Sequence, residues 1–173
     1  TVCDSYNIPM IFLADVPGFM VGERVEHELM LHWGMRMMHA LQNASTPTLT
    51  VCIRKAFGLA WQAMNGSQMP ALGVYSWPGA EIGFMDPEVG VNVAFGSKLG
   101  RIEDVETREA EREALVREVA ESTNPYDAAG TMRIDEMIDP GDTRSVLAHD
   151  LEMLANREVP PPEARPLSYW PTC

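Results

Sequence analysis

Two short apolar runs separated by a long proline-free stretch constrain this chain more than any other feature. Residues 8–13 (IPMIFL) and 48–53 (TLTVCI) are nearly continuous in apolar and β-branched residues. That is the pattern of strands covered on both faces. Between them, residues 23–43 contain no proline, and Leu29, Trp33, Met37 and Leu41 recur at helical spacing. This predicts one long amphipathic helix, stopped by Ser45-Thr46-Pro47. Strand, helix and strand in that order give parallel neighbours. The alternation continues with a third strand over 72–77 closed by Pro78-Gly79, a short fourth over 80–85, and a helix over 87–95 with Pro near its start. A charged helix over 101–121 carries a stripe of Ile102, Val105, Val116 and Val119. A short helix over 124–129, a late strand over 133–138, and a last helix over 144–156 capped by Asp142-Thr143 complete the pattern. The expected class is α/β with a parallel sheet, in a single domain over 1–158. Residues 159–173 are proline-rich and should form an extended arm packed on another surface.

A chain of 173 residues supports one hydrophobic core, and 46% hydrophobic with 22% charged residues is a globular composition. No apolar run reaches the roughly 18 residues that cross a bilayer, which predicts no membrane contact, and the opening lacks the pattern of a signal peptide. The sequence starts at Thr1 rather than Met, as expected of a fragment or a processed subunit. A net charge of −12 argues against a nucleic-acid partner, which needs clustered Lys and Arg. The acids and bases that alternate over 101–121 read as a solvated helix face. Cys3, Cys52 and Cys173 have no metal-binding spacing and are odd in number, so reduced thiols and a cytoplasmic location are expected. His27, His32, His39 and His149 form no HExxH pattern, and no metal is expected. Met30, Met35, Met37 and Met38 crowd the first helix, a composition suited to packing against another helix or subunit.

Three places are suited to chemistry. At residues 54–64 a strand meets a glycine and turns into a helix, which leaves backbone N–H groups unpaired and pointing outward, with the helix dipole behind them. Adjacent N–H groups of this kind form an oxyanion hole, and glycine lets the backbone approach a ligand closely. The same corner is also ordinary topology. Asp15-Val16-Pro17-Gly18-Phe19 ends the first strand, where ligands of open α/β sheets sit, or else is a plain turn. Residues 77–85 (WPGAEIGFM) form a rigid apolar loop able to wall a flat heterocycle or to pack in the core. The sequence has no P-loop, no GxGxxG and no assignable Ser-His-Asp set. The lack of an evident general base fits chemistry in which the substrate brings its own base.

Six stretches in this order resemble the C-terminal subdomain of biotin-dependent acyl-CoA carboxyltransferases, the β subunits of propionyl-CoA, acetyl-CoA and methylcrotonyl-CoA carboxylases. They are Ile8-Pro9 with its strand, DVPGF at 15–19, RKAFG at 54–58, SWPGAEIGFM at 76–85, NPYDAA at 124–129 and RIDEMIDPGDTR at 133–144. The resemblance implies a crotonase-like (ClpP/crotonase) ββα spiral and a site shared between two halves. An N-terminal half would hold acyl-CoA, and this chain would face biotin, inactive alone. Backbone N–H groups of Gly58, Leu59 and Ala60 would bind the biotin ureido oxygen. Pro17, Gly18, Phe19, Phe57, Trp77, Pro78 and Gly79 would shape the biotin pocket, and Trp61 and Gln62 would bear on acyl specificity. The implied partners are the N-terminal carboxyltransferase half, a biotin carboxyl carrier, a biotin carboxylase subunit and further copies, from dimer to hexamer. A biotin-dependent decarboxylase subunit and a non-catalytic crotonase-fold scaffold are the alternative functions. Two departures from the family pattern stand out, the second at a position associated with substrate choice. Leu59 stands where many relatives carry a second glycine. Gln62 stands where an Asp is frequent, while Trp61 replaces a smaller residue or Tyr.

Overall fold

The structure is a computed structural model and describes residues 1–169. Its sheet is organised around β2 (Thr48–Phe57), which pairs with β1 (Met10–Val16), β3 (Gly73–Ser76) and, at its far end, β4 (Glu81–Gly83). The two-residue β5 (Glu136–Met137) extends the sheet beyond β3. Every pairing is parallel, as the alternation of strands and helices requires. A short helix, α1 (Val2–Ser5), precedes β1.

The two sheet faces are covered by different elements. On one face Ala14, Cys52, Ala56 and Val74 pack with Trp61 of α4 (Gly58–Ala63) and with Ile82 and Ala80. On the other, Leu49, Val51 and Tyr75 meet Leu147 of the last helix, Thr143–Leu154. That helix covers β2 and β3 but leaves β1 bare, so Ile11 and Leu13 are 44% and 54% exposed. The first strand is therefore an edge strand with one covered face, not one buried on both sides. Cys52 lies fully inside, and burial pushes its thiol up to about 12, which makes it a packing residue rather than a reactive one.

The long first helix is two helices. α2 (Glu23–His27) ends at Glu28, and Leu29 adopts a left-handed conformation with φ 58° before α3 (Met30–Asn43) begins. No proline or glycine announces this break, so the uninterrupted spacing concealed it. Only Met38 and Leu41 of α3 are buried, whereas Leu29, Trp33 and Met37 of the expected stripe are largely exposed. Phe19 packs against α3 at Gly34, where a Cβ would come within 2.8 Å of the Phe19 ring.

Beyond β4 run α5 (Pro87–Leu99), α6 (Val105–Glu121) and α7 (Pro125–Gly130), with the Thr143–Leu154 helix as α8. Asp86, Asp104 and Asn124 cap the first three through their side chains, each accepting from a backbone N–H of the first turn. Asp142 does not cap α8; Thr143 instead donates to the carbonyl of Pro140 and accepts from the Trp77 indole. The described part of the proline-rich segment is folded rather than extended, with two 3₁₀ turns, Pro162–Ala164 and Pro166–Tyr169. Arg165 donates to the carbonyls of Pro160 and Asp4, and the Asp4 carboxylate accepts from the amides of Ser45 and Thr46. Both chain ends are thereby tied to the turn before β2. Residues 170–173 of the expected arm lie outside the described residues. Among the described residues no helix is long and apolar enough to cross a membrane.

The turn after α4 carries a sharp test of this packing. Asn65 is left-handed (φ 58°), and Gly66 donates to Trp61 O across the helix end. A Cβ at Gly66 would fall 2.2 Å from the Trp61 ring. Gly66→Ala should therefore lower unfolding stability by about 1–3 kcal/mol and shift tryptophan fluorescence, as read by urea denaturation.

Candidate functional site

The chain passes from β2 into α4 with no intervening loop. Gly58, the first helical residue, has φ +60°, and a Cβ there would lie 2.9 Å from the carbonyl oxygen of Phe84. Both constraints require glycine: one is conformational and the other is the closeness of β4's exit. Phe57, the residue before the helix, provides no side-chain cap. Phe57 pairs with Gly83 in the β2–β4 ladder, which engages the start of this corner, while among the described residues no turn, loop or side-chain hydrogen bond takes up the N–H groups of Leu59 or Ala60. These are the orphan donors of a helix start, backed by its dipole.

Two clefts meet at this corner. One, of about 280 Å³, is lined by Gly58, Leu59, Trp61, Gln62, Gln68 and Arg133 together with Phe84. The other, of about 320 Å³, is lined by Pro17, Gly18, Phe19, Phe57, Gly58, Leu59 and, from the far side, Phe84, Met85 and Val89. Gly58, Leu59 and Phe84 belong to both. Phe84 is 86% exposed and stands between them. Ala60 is buried and lines neither cleft, whereas Gly58 and Leu59 line both.

The structure brings together Gly58 and Leu59 with Pro17, Gly18, Phe19 and Phe57 on one side, and with Trp61 and Gln62 on the other. Trp77, Pro78 and Gly79 line neither cleft. The Trp77 ring packs beside the core under α8 and its Nε1–H donates to Thr143 Oγ1 at 2.9 Å, a partner the indole needs once half-buried. Gln68, Asp86 and Val89 are lining residues outside every motif, while Phe84 and Met85 lie in the apolar loop 77–85 and Arg133 opens the RIDEMIDPGDTR stretch without having been named as site residues. The signal for Phe84 and Met85 lay in the run GFM directly after β4.

Consecutive residues of β2 hold the walls of the second cleft. Arg54 forms an ion pair with Asp15 at 3.0 Å, just before Pro17, and Lys55 forms one with Asp86 at 2.7 Å, just after Met85. The Arg54 hydrogen bond holds Asp15 below the usual carboxylate range. Burial alone would push Asp86 up, but the Lys55 ammonium and the amide of Glu88 outweigh it and hold Asp86 low as well. Among the described residues no group of three or more His, Cys, Asp or Glu side chains is placed to hold a metal ion.

The carboxyl transferase domain family matches residues 1–166, and the chain belongs to that family. It is 38% identical over 164 residues to the carboxyltransferase subunit of propionyl-CoA carboxylase from Haloferax mediterranei, covering 94% of this chain and 31% of that protein. It is 39% identical over 156 residues to the methylmalonyl-CoA carboxyltransferase 12S subunit of Propionibacterium freudenreichii subsp. shermanii, covering 90% of this chain and 29% of the relative. The chain thus spans about 31% and 29% of the length of these two relatives. Among solved structures, a transcarboxylase 12S hexamer with methylmalonyl-CoA and methylmalonic acid bound superposes with a TM-score of 0.78 at 38% identity, over 92% of this chain and 30% of that one. The β subunit of geranyl-CoA carboxylase from P. aeruginosa gives 0.82 at 24% identity, over 92% and 31%, and speaks for the fold alone. That fold is the crotonase-like α/β architecture of carboxyltransferases, here as one domain.

The Lys55–Asp86 pair makes a pH-dependent contribution. Asp86 has a depressed folded pKa, so its stabilisation is present above the unfolded carboxylate value of about 4 and is lost as pH falls through the lower folded value. Lys55 is raised, mainly by its hydrogen bond to Asp86, so its part is complete below the unfolded lysine value near 10.4 and is lost only above that. Lys55→Met should cost about 1–3 kcal/mol at neutral pH, and the gap to the unaltered protein should narrow below pH ~4 in denaturant titrations.

Proposed function

We propose that this chain is the biotin-facing part of the carboxyltransferase component of a biotin-dependent acyl-CoA carboxylase, moving a carboxyl group from carboxybiotin to the α-carbon of an acyl-CoA. The observation that carries this reading is the glycine corner at Gly58 and Leu59, a helix start that lines both clefts where they meet. Family membership and the relatives' acyl-CoA activities support it.

The second cleft fits a flat, largely apolar bicyclic ring. Phe57, Phe84, Met85 and Val89 offer apolar walls, and the backbone near Gly58 has no Cβ to obstruct an approaching oxygen. Bound there, biotin supplies the activated carboxyl group and a ureido nitrogen able to accept a proton. The Gly58 and Leu59 amides would hold the ureido oxygen and stabilise negative charge that gathers on it. Interactions that strengthen as that charge develops are the ones that accelerate reaction. The first cleft, with Trp61 and Gln62, would then receive the acyl portion and hold it beside the same corner.

The partners in this reading are an acyl-CoA-binding N-terminal half, a biotin carboxyl carrier with its biotin carboxylase, and further copies of the protein. The exposed apolar residues of β1 and α3, among them Ile11, Leu13, Leu31, Trp33 and Met35, support an extensive protein contact.

The test uses the intact protein with several acyl-CoAs and a biotinylated carrier, following carboxyl transfer. Gly58→Ala should lower the rate on the order of 10²–10³-fold, because Ala disfavours the left-handed backbone and its Cβ crowds the Phe84 carbonyl. Absence of transfer with every acyl-CoA, or full activity in a normally folded Gly58→Ala protein, would overturn the assignment.

A further inference from the structure

We infer that the cleft containing Trp61, Gln62 and Arg133 accepts an acyl group ending in a carboxylate, with Arg133 as the residue that selects it. This rests on the acyl-CoA reading above and deepens it by naming a substrate class.

The cleft joins the Gly58–Leu59 corner to a cation. Both ends line the same space of about 280 Å³, room for a chain of a few carbons between them. The other polar side chains in that lining are already engaged with one another. Gln62 donates to Gln68 at 3.0 Å, and the Trp61 indole donates to Ser67 Oγ at 3.1 Å. An acyl chain in this cleft therefore meets one charged group.

Arg133 is held in place by backbone geometry. It follows α7 in a helix-ending motif where Arg133 N donates to Ala128 O and Met132 N donates to Ala129 O. Met132 takes the left-handed position at φ 54°. The Arg133 Nε then donates to Thr131 Oγ1 at 3.1 Å, and Thr131 Oγ1 in turn donates to Asp127 O. Among the described residues no carboxylate pairs with Arg133, and its terminal nitrogens have no acceptor. This occurs in a chain with 25 acidic residues against 13 Lys and Arg. Arg133 as a residue is half-buried, with Leu59, Ile82 and Phe84 also in the lining. A partly desolvated cation with two free N–H edges is matched by a carboxylate, which accepts two parallel hydrogen bonds. A methyl-terminated chain of equal length would leave those donors unpaired.

The experiment compares glutaryl-CoA with pentanoyl-CoA, its near-isostere without the charge, as substrates of the intact protein. The glutaryl-to-pentanoyl ratio of kcat/KM should favour glutaryl-CoA. In Arg133→Met it should fall by about 10- to 100-fold, with partial recovery in Arg133→Lys. Calorimetric titration with glutarate gives a readout independent of turnover, and its binding should disappear in Arg133→Met. If neither these nor any other acyl-CoA is carboxylated while glutarate still binds through Arg133, the carboxyltransferase reading fails and the carboxylate site stands. Equal loss on both acyl-CoAs would assign Arg133 to the CoA portion and overturn the inference. No preference together with no glutarate binding would overturn it as well.

Discussion

β2 belongs to two pairings at once, and the site exists because of that. Its first half is held between β1 and β3, while residues 55–57 pair with β4 instead. β3 stops at Ser76, opposite Cys52, which opens the flank that β4 then fills. The chain leaving β4 brings the Phe84 carbonyl against Gly58, at the point where β2 has run out of partners and turns into α4. A residue with a Cβ at 58 would face a disfavoured backbone and a carbonyl contact together, so the corner admits glycine. The glycine that starts α4 is also the residue that lets β4 and its exit seat beside β2.

The period of two along a strand then does useful work in anchoring the walls. Arg54 and Lys55, being neighbours, point to opposite sides, and each reaches an acid at the base of one wall of the second cleft. The two ties differ in strength. Arg54–Asp15 is largely solvated and contributes little to stability, whatever it does for loop geometry. Lys55–Asp86 is mostly covered, and Asp86 also caps α5, so breaking it leaves a covered carboxylate and a loosened helix start. The wall that bears Phe84 and Met85 is consequently held more firmly than the one that bears Pro17 and Phe19.

Strands and their order were legible in the sequence because apolar runs bounded by Pro and Gly are a strong local signal. The corner at Gly58 was legible for the same reason: strand residues, then a glycine, then helix formers. Other features depended on contacts across the chain. Leu29 breaks the first helix without any breaker residue, and the exposure of Ile11 and Leu13 follows from where α8 stops, which no local pattern states. Trp77 is placed by a contact that no local pattern states. It sits in a stretch characteristic of the family, but its indole N–H is drawn to Thr143, 66 positions away. Arg133 lay in plain sight within RIDEMI, and reading it as strand hid its place as the residue that ends α7.

An oxyanion hole is worth most where water is excluded, since solvent screens and competes for its donors. At this corner the donors open into clefts whose dividing residue, Phe84, is almost fully exposed, and the edge strand and α3 leave a broad apolar surface uncovered. The chain spans about a third of the length of its two carboxyltransferase relatives. Within this chain the amides face water on one side, and water satisfies them nearly as well as a ligand oxygen does. Protein covering the clefts would change that balance by raising the local field and removing the competing solvent.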